Sequence, residues 1–118
     1  MLGDLSGLFR HQSNNISFHA GDVIFSEGQP ADYMYVILEG SVDVSTRGKH
    51  IDTAEAGSIV GEMALIDHDV RSATVTAKTD CVVVPVDRSE FLFMVQETPN
   101  FAIRVMHIMA ERLRKQQA

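Results

Sequence analysis

The chain has a single cysteine, Cys81, so it cannot form a disulfide bond within one molecule. The apolar residues that follow it, 82–84, indicate a buried and unreactive thiol. No apolar run approaches the ~20 residues that a membrane-spanning helix needs. The N-terminus lacks the charged start and the long apolar segment of a signal peptide. We therefore expect a cytoplasmic protein without a membrane span.

Basic residues are also few, since 10 Lys and Arg stand against 16 Asp and Glu and give a net charge of -6. This balance argues against non-specific binding of nucleic acid, which needs a basic surface. It leaves room for a small anionic ligand, because local charge decides binding at a site. The 118 residues suffice for one soluble domain, 1–118, and leave little room for a second.

Short apolar segments alternate with turn residues from Ile16 to Val86. Many short strands at near-regular spacing with glycine-containing turns are typical of an all-β sandwich or roll. The sequence therefore predicts a mainly β domain, a sandwich or a roll, over residues 16–87. The predicted strands are 16–18, 23–25, 34–38, 42–44, 51–53, 59–60, 73–77 and 82–86.

Helical periodicity is present on both sides of this roll. Residues 1–15 form a predicted helical segment, with leucines and a phenylalanine at helical spacing over 1–12, that packs on the main body. Residues 88–118 predict two helices that complete the fold. Asp87 is a suitable N-cap for the first, over 88–97, and Pro99 suits the first turn of the second, which runs to about Gln116.

The last helix has two apolar stripes, and so wide an apolar arc needs cover on two sides. One stripe can dock on the roll, and the other would face a ligand or a second subunit, which makes a homodimer through this helix a hypothesis. The first stripe is Phe101, Val105 and Ile108; the second is Ile103, Met106, Ala110 and Leu113.

The stretch 61–75, GEMALIDHDVRSATV, contains the candidate ligand-binding residues. A tight turn at Gly61 leads into a short apolar helix, and an acidic loop then leads to Arg71 and Ser72. Backbone N–H groups at a helix start bind anions, and the planar fork of an arginine suits a phosphate. One helix start, one carboxylate and one Arg-Ser pair could together hold a small phosphorylated ligand.

These residues, GE-x-A-L followed by R-S-A-T-V within a β-roll and before two helices, resemble the cyclic nucleotide-binding domain. That module occurs in catabolite-activator-type regulators, cyclic-nucleotide-gated channels and cyclic-nucleotide-dependent kinases. The resemblance covers residues 16–116, and the upstream segment GDVIFSEGQPADYMYVILEGSV is also similar, in a structural role. It implies that residues 16–87 form an antiparallel β-roll of the jelly-roll type (a double-stranded β-helix) and that residues 61–75 are a phosphate-binding cassette within it.

The resemblance implies a role for each residue at the start of the cassette. Gly61 would permit the turn, where a side chain would crowd the sugar. Glu62 would accept a hydrogen bond from the ribose 2′-hydroxyl. The backbone N–H groups of Met63 and Ala64 would face the sugar or the phosphate.

The end of the cassette and the last helix receive the remaining roles. Arg71 would pair with the exocyclic oxygens of the cyclic phosphate, Ser72 would add its hydroxyl and N–H, and Ala73 would leave room. A buried phosphate with one negative charge needs one matching cation and oriented donors. Arg112 and Gln116 are candidates for contacts with the base.

The resemblance implies a non-enzymatic regulatory sensor for a 3′,5′-cyclic nucleotide, with cAMP favoured and cGMP left open. Such a sensor would have no catalytic residues and no catalytic cofactor. Its last helix would close over the ligand as a lid. In the transcription regulators a helix-turn-helix domain follows that helix. Since this chain ends at Ala118, we expect no nucleic-acid binding by this domain alone.

Two alternatives have less support. A cupin-type metal enzyme needs a cluster of histidines on the roll, and the chain has no histidine between His19 and His50. His107 with Glu111, or His68 alone, does not supply three metal ligands, so no metal site is expected. A dimerisation scaffold that has lost its ligand would not need both the cassette glutamate and the cassette arginine.

Overall fold

The computed structural model describes residues 5–10, 12–67 and 70–117, except the side chains of residues 67, 116 and 117. Within these ranges it contains eight β-strands and four α-helices. The strands are β1 Ile16–Phe18, β2 Val23–Phe25, β3 Met34–Glu39, β4 Ser41–Thr46, β5 Lys49–Glu55, β6 Ile59–Val60, β7 Thr74–Ala77 and β8 Cys81–Val86. The helices are α1 Ser6–Phe9, α2 Met63–Asp67, α3 Arg88–Glu97 and α4 Asn100–Gln117.

The strands form two four-stranded antiparallel sheets, with the orders β1-β8-β3-β6 and β2-β7-β4-β5. Alternate residues of β4 and β7 are buried, among them Val42, Val44 and Val75, because successive side chains of a strand point to opposite faces. These residues fill the space between the sheets together with residues from β2, β3 and β8. The predicted mainly antiparallel β-roll with flanking helices is therefore confirmed.

A second apolar cluster joins the helices to the roll. Phe101, Val105 and Ile108 of α4 are buried in it, as are Leu5 and Phe9 at the N-terminal helix. The ring of Phe101 lies 6.0 Å from that of Phe9. One of the two predicted apolar stripes of the last helix therefore docks on the roll, and it is the first.

The second stripe of α4 is largely uncovered. Ile103, Met106 and Leu113 expose 50%, 54% and 56% of their surface. No helix in the described ranges is long and apolar enough to cross a membrane. The cytoplasmic location stays a prediction from the sequence.

Helix boundaries differ from the sequence predictions at two places. The N-terminal helix spans only Ser6–Phe9, whereas residues 1–4 and 11 of the predicted helix lie outside the described residues. Glycine at position 7 lowers helix propensity there. The last helix begins at Asn100, so Pro99 precedes it, and the N–H of Ala102 donates to the carbonyl of Pro99 (3.1 Å). The predicted cap of α3 is confirmed, since Oδ1 of Asp87 accepts from the N–H of Glu90 (2.8 Å).

Candidate functional site

A cavity of about 260 Å³ lies between the β2-β7-β4-β5 sheet, helix α2 and helix α4. This volume is slightly below the usual range of small-molecule sites, which is about 300–1,000 Å³. All seven cassette residues named from the sequence line it: Gly61, Glu62, Met63, Ala64, Arg71, Ser72 and Ala73. Arg112 lines it as well, and the side chain of Gln116 lies outside the described part of the chain.

Arg71 is the buried cation of this cavity, with only 6% of its surface exposed. Its guanidinium carbon lies 4.0 Å from the ring centre of Phe25 and 5.7 Å from that of Tyr35. The two rings are themselves stacked, at 6.0 Å and an interplanar angle of 22°. A guanidinium on an aromatic face is attracted by the negative face of the ring, which holds Arg71 in place without using its N–H donors.

The backbone of Arg71 is fixed by the loop between β2 and β3. Its N–H donates to the carbonyl of Gln29 (2.8 Å), and its carbonyl accepts from the N–H of Gly28 (2.8 Å). Gly28 has φ = +88°, a conformation that glycine adopts without strain. The structural role implied for the upstream segment therefore includes anchoring the cassette arginine.

The donors of Arg71 are only partly used by the protein. Nη1 donates to the carbonyl of Gly61 at 3.4 Å, a long hydrogen bond. Among the described residues, Nε of Arg71 has no hydrogen-bond partner although it is buried. An unsatisfied buried donor costs about 1–3 kcal/mol.

Burial lowers the pKa of Arg71 below its ordinary value, and Tyr35, Asp32 and Glu62 act against this shift. Arginine keeps its proton even so, because its ordinary pKa lies far above neutral pH. Arg71 thus places a poorly solvated positive charge in the wall of the cavity. Such a group binds an anion far more strongly than a solvated arginine on the surface does.

Gly61 contacts this arginine directly. It has φ = +77°, and a Cβ atom there would lie 2.6 Å from Nη1 of Arg71 and 3.2 Å from the ring of Phe25. The turn expected at this position is present. The groups that a side chain would meet first are Arg71 and Phe25, which the sequence did not indicate.

The predicted backbone donors of α2 are partly occupied. The N–H of Ala64 donates to the carbonyl of Gly61 (3.2 Å), and that of Leu65 donates to the carbonyl of Glu62 (3.1 Å). These bonds close the first turn of the helix. The N–H of Ala64 was predicted to face the ligand. For this, it must either leave the carbonyl of Gly61 or donate to that carbonyl and to the ligand at the same time.

The residues after Arg71 form the edge of the cavity. Ser72 is exposed and Ala73 is half-buried, and strand β7 begins one residue later than predicted, at Thr74. The carbonyl of Ser72 accepts from Oγ1 of Thr46 at 3.5 Å. Ser72 thus lines the cavity with its backbone held against β4.

Glu62 is held by an arginine from the last helix. Nη1 of Arg112 donates to Oε1 of Glu62 (2.8 Å), its Nε donates to Oδ2 of Asp52 (2.9 Å), and its Nη2 donates to the carbonyl of Ile59 (2.8 Å). Nζ of Lys115 lies 3.6 Å from Oδ1 of Asp52. The side chains of Arg112, Asp52 and Glu62 are only 15%, 9% and 12% exposed, so this cluster is well shielded from water.

A second arginine joins the cassette to α3. Nη1 of Arg88 donates to the carbonyl of Leu65, near the end of α2. The two C-terminal helices are thus each linked to the cassette by one arginine.

Three residues of this site were not found from the sequence: Phe25, Tyr35 and Asp52. Asp52 had a detectable signal, because it is paired with Val44 across strands and so shares the inward face of the sheet. A carboxylate on such a face requires a cationic partner. The two aromatic residues had no comparable signal, since inward aromatic residues are ordinary in a strand.

Comparison with known proteins gives a family match. The family model described as "Cyclic nucleotide-binding domain" matches residues 15–98. A cyclic nucleotide-gated potassium channel of Rhizobium etli is 37% identical over 93 residues, 79% of this chain and 26% of the channel. The cGMP-dependent protein kinase egl-4 of Caenorhabditis elegans is 36% identical over 77 residues, 65% of this chain and 10% of the kinase.

Among solved structures, a cAMP-bound PfPKA-R is similar at a TM-score of 0.73 and 27% identity. The similarity covers 87% of this chain and 36% of that one. This chain thus spans about a tenth to a quarter of the length of the two curated relatives.

Proposed function

Because the chain belongs to the cyclic nucleotide-binding domain family, we propose that it is a non-enzymatic sensor for a 3′,5′-cyclic nucleotide, cAMP in particular. The observation that carries the proposal is the buried guanidinium of Arg71. Arg71 lines the cavity, and the hydrogen bond from its Nη1 to the carbonyl of Gly61 is long, at 3.4 Å. The exocyclic oxygens of a cyclic phosphate carry one negative charge, which this one cation matches.

Glu62 supplies the second contact in this proposal. One of its oxygens accepts from Arg112, and an ionised carboxylate has about four lone-pair sites, so it also has room for a ribose 2′-hydroxyl. The hydroxyl and N–H of Ser72, the N–H of Met63 and the space beside Ala73 complete the phosphate and sugar end. Which base the ligand carries is the finer part of the proposal.

Helix α4 reports occupancy in this mechanism. Met109, Arg112 and Leu113 bring α4 to the cavity as one of its walls. A ligand that binds Glu62 and Arg71 more strongly when α4 is docked shifts the population toward the docked state. Arg88 then transmits any movement of α2 to the start of α3, because it bonds the carbonyl of Leu65.

Isothermal titration with cAMP, cGMP and 5′-AMP tests the proposal on protein freed of copurified ligand. We expect saturable binding of the cyclic nucleotides and at least about tenfold weaker binding of 5′-AMP, whose second negative charge has no matching cation. The absence of binding heat for both cyclic nucleotides at high micromolar concentration would contradict the proposal.

Two further measurements separate the phosphate and sugar contacts. Arg71→Ala should weaken cAMP binding by roughly 100-fold or more, since it removes the partner of a buried charge. Arg114→Ala, an exposed arginine on α4, is the matched control and should bind as the parent does. 2′-Deoxy-cAMP should bind about tenfold more weakly than cAMP, because Glu62 then loses a charge-assisted hydrogen bond.

The family match does not favour the cupin-type alternative. Self-association through α4 is a second proposal, and it rests on the exposed stripe. Ile103, Met106, Ala110 and Leu113 follow one another at spacings of three, four and three residues, as the contact positions of a coiled coil do. Light scattering should show a dimer that Met106→Glu dissociates and that Glu111→Gln, away from the stripe, leaves intact. A monomer with and without ligand would end this proposal.

A further inference from the structure

All three nitrogens of the Arg112 guanidinium have fixed partners. Nε bonds Asp52, Nη1 bonds Glu62, and Nη2 bonds the carbonyl of Ile59, each at 2.8 or 2.9 Å. Two of these partners are carboxylates in a cluster largely removed from water, where ion pairs are strong. Three of the five N–H groups of Arg112 therefore already have partners, and the two ion pairs hold the guanidinium beside Glu62.

The part of the cavity left for a base is apolar. Arg71 and Glu62 lie at the phosphate and sugar end, beside α2. The lining also includes Val44 and Ile51 from the sheet and Met109 and Leu113 from α4, which are all apolar. Apolar side chains contact the faces of purines well, but they do not read the donors and acceptors on the edge of the ring.

We propose that Asp52 is a positioning residue for base selectivity, which holds Arg112 on Glu62 and away from the base. This inference rests on the proposed function and deepens it. The base is received by the apolar wall that Met109 and Leu113 provide, and the chain discriminates weakly between adenine and guanine. The role assigned to Arg112 thereby changes from a contact with the base to the support of Glu62.

Asp52 is the determinant because its carboxylate pairs with Nε of Arg112 at 2.9 Å. This is one of the two ion pairs that hold the guanidinium. Without its charge, Arg112 keeps one carboxylate partner and gains freedom to turn toward the base. Guanine presents two acceptors, O6 and N7, to an arginine fork, whereas adenine presents a donor beside its N7. A released Arg112 would therefore favour cGMP over cAMP.

The test measures dissociation constants for cAMP and cGMP by titration of the parent protein and of Asp52→Asn. The parent should bind the two nucleotides within about tenfold of each other, as apolar pockets do for ligands of similar shape. Asp52→Asn should shift the ratio toward cGMP by about fivefold or more, from the bidentate contact of arginine with guanine.

Matched variants isolate the effect. Lys115→Met removes the other cation beside Asp52, and Asp43→Asn makes the same chemical change at a β4 carboxylate bonded to Thr53. Both should keep the parent ratio. Arg112→Met should weaken both nucleotides equally and leave the ratio unchanged, so it decides the question even if Asp52→Asn does not fold.

The measurements distinguish a failure of the proposed function from a failure of this inference. Binding of neither nucleotide by the parent protein overturns the proposed function and this inference with it. Binding of both with a parent ratio above about 100-fold, which an apolar wall does not produce, overturns this inference alone. The inference is also overturned if the ratio of the cAMP and cGMP dissociation constants is unchanged in Asp52→Asn or changed in Arg112→Met. Neither result contradicts the sensor function.

Discussion

Gly61 leaves just enough space for Arg71, because a Cβ atom at position 61 would lie 2.6 Å from Nη1 of that arginine. The same atom would lie 3.2 Å from the ring of Phe25, on which the guanidinium is placed. The glycine thus serves two purposes, a left-handed backbone with φ = +77° and close approach of the cation.

We expect Gly61→Ala to reduce both stability and ligand affinity. The left-handed conformation costs an alanine about 1–2 kcal/mol, which urea denaturation will detect. The methyl group also displaces the flexible end of Arg71, so cAMP affinity should fall by at least about tenfold, the equivalent of one lost charge-assisted hydrogen bond.

Gly48→Ala is the matched control for the Gly61 variant. Gly48 has φ = +76°, and a Cβ atom there would have no neighbour within 4 Å. Its loss of stability should be similar while its affinity stays that of the parent. Equal affinities for the two variants would show that the contact with Arg71 has no effect on binding.

The aromatic support of Arg71 gives a second prediction. Phe25→Leu keeps an apolar side chain in the sandwich but removes the π face 4.0 Å from the guanidinium. The lost cation–π contact is worth about 0.5–2 kcal/mol, so cAMP affinity should fall by a few-fold to about 30-fold. Phe18→Leu, a half-buried ring packed on the same cluster, should lower stability without changing affinity. A Phe25 variant that binds as tightly as the parent would contradict the role given to the ring.

The strands were predictable because glycine turns separate short apolar segments of regular alternation. Six of the eight were located within one residue at each end. The other two strands are longer than predicted: β4 ends at Thr46, and β5 spans Lys49–Glu55. The reason is that polar residues of this hairpin also pair across the strands. Apolar pattern alone does not detect such pairing, since strand ends in contact with water need not be apolar.

The cassette was predictable for a different reason, which is that its residues lie close together in sequence. Gly61, Glu62 and Arg71 fall within one short motif, and a resemblance can identify them together. The contacts of Phe25 with Arg71 and of Asp52 with Arg112 join residues 46 and 60 positions apart. These pairs arise only when the two sheets and α4 pack, so local spacing does not contain them.

Cys81 provides a prediction on pH dependence. Burial raises the pKa of its thiol, and the nearby Asp80 and Asp22 add to this. The folded protein then keeps the proton at a pH where the unfolded chain, with a thiol pKa of about 8.5, has lost it. Stability from this group is complete below the unfolded pKa and declines as pH rises above it, by no more than about 1.4 kcal/mol per pH unit.

Urea denaturation at several pH values compares the parent with Cys81→Ala. The difference in unfolding free energy between the two should be constant up to about pH 8 and then change in favour of the variant. Thiol reagents should modify the native protein far more slowly than the denatured chain. Parallel stability curves up to pH 10 would show that the thiol titrates alike in both states.

Arg88 is the last testable residue, since it joins the start of α3 to α2 through the carbonyl of Leu65. If α4 responds to the ligand through this link, Arg88→Met should leave the cavity and its cAMP affinity within about threefold of the parent, because Arg88 is not among the residues that line it. The response of α3 and α4 should instead be lost.

Amide hydrogen exchange, measured with and without cAMP, reports this response, since docking of a helix protects its amides. In the parent, cAMP should slow exchange along α4; in Arg88→Met the slowing should be confined to the cassette. Arg104→Met, on the second turn of α4, is the control and should respond as the parent does. Full protection of α4 in Arg88→Met would place the coupling in the Arg112 cluster alone.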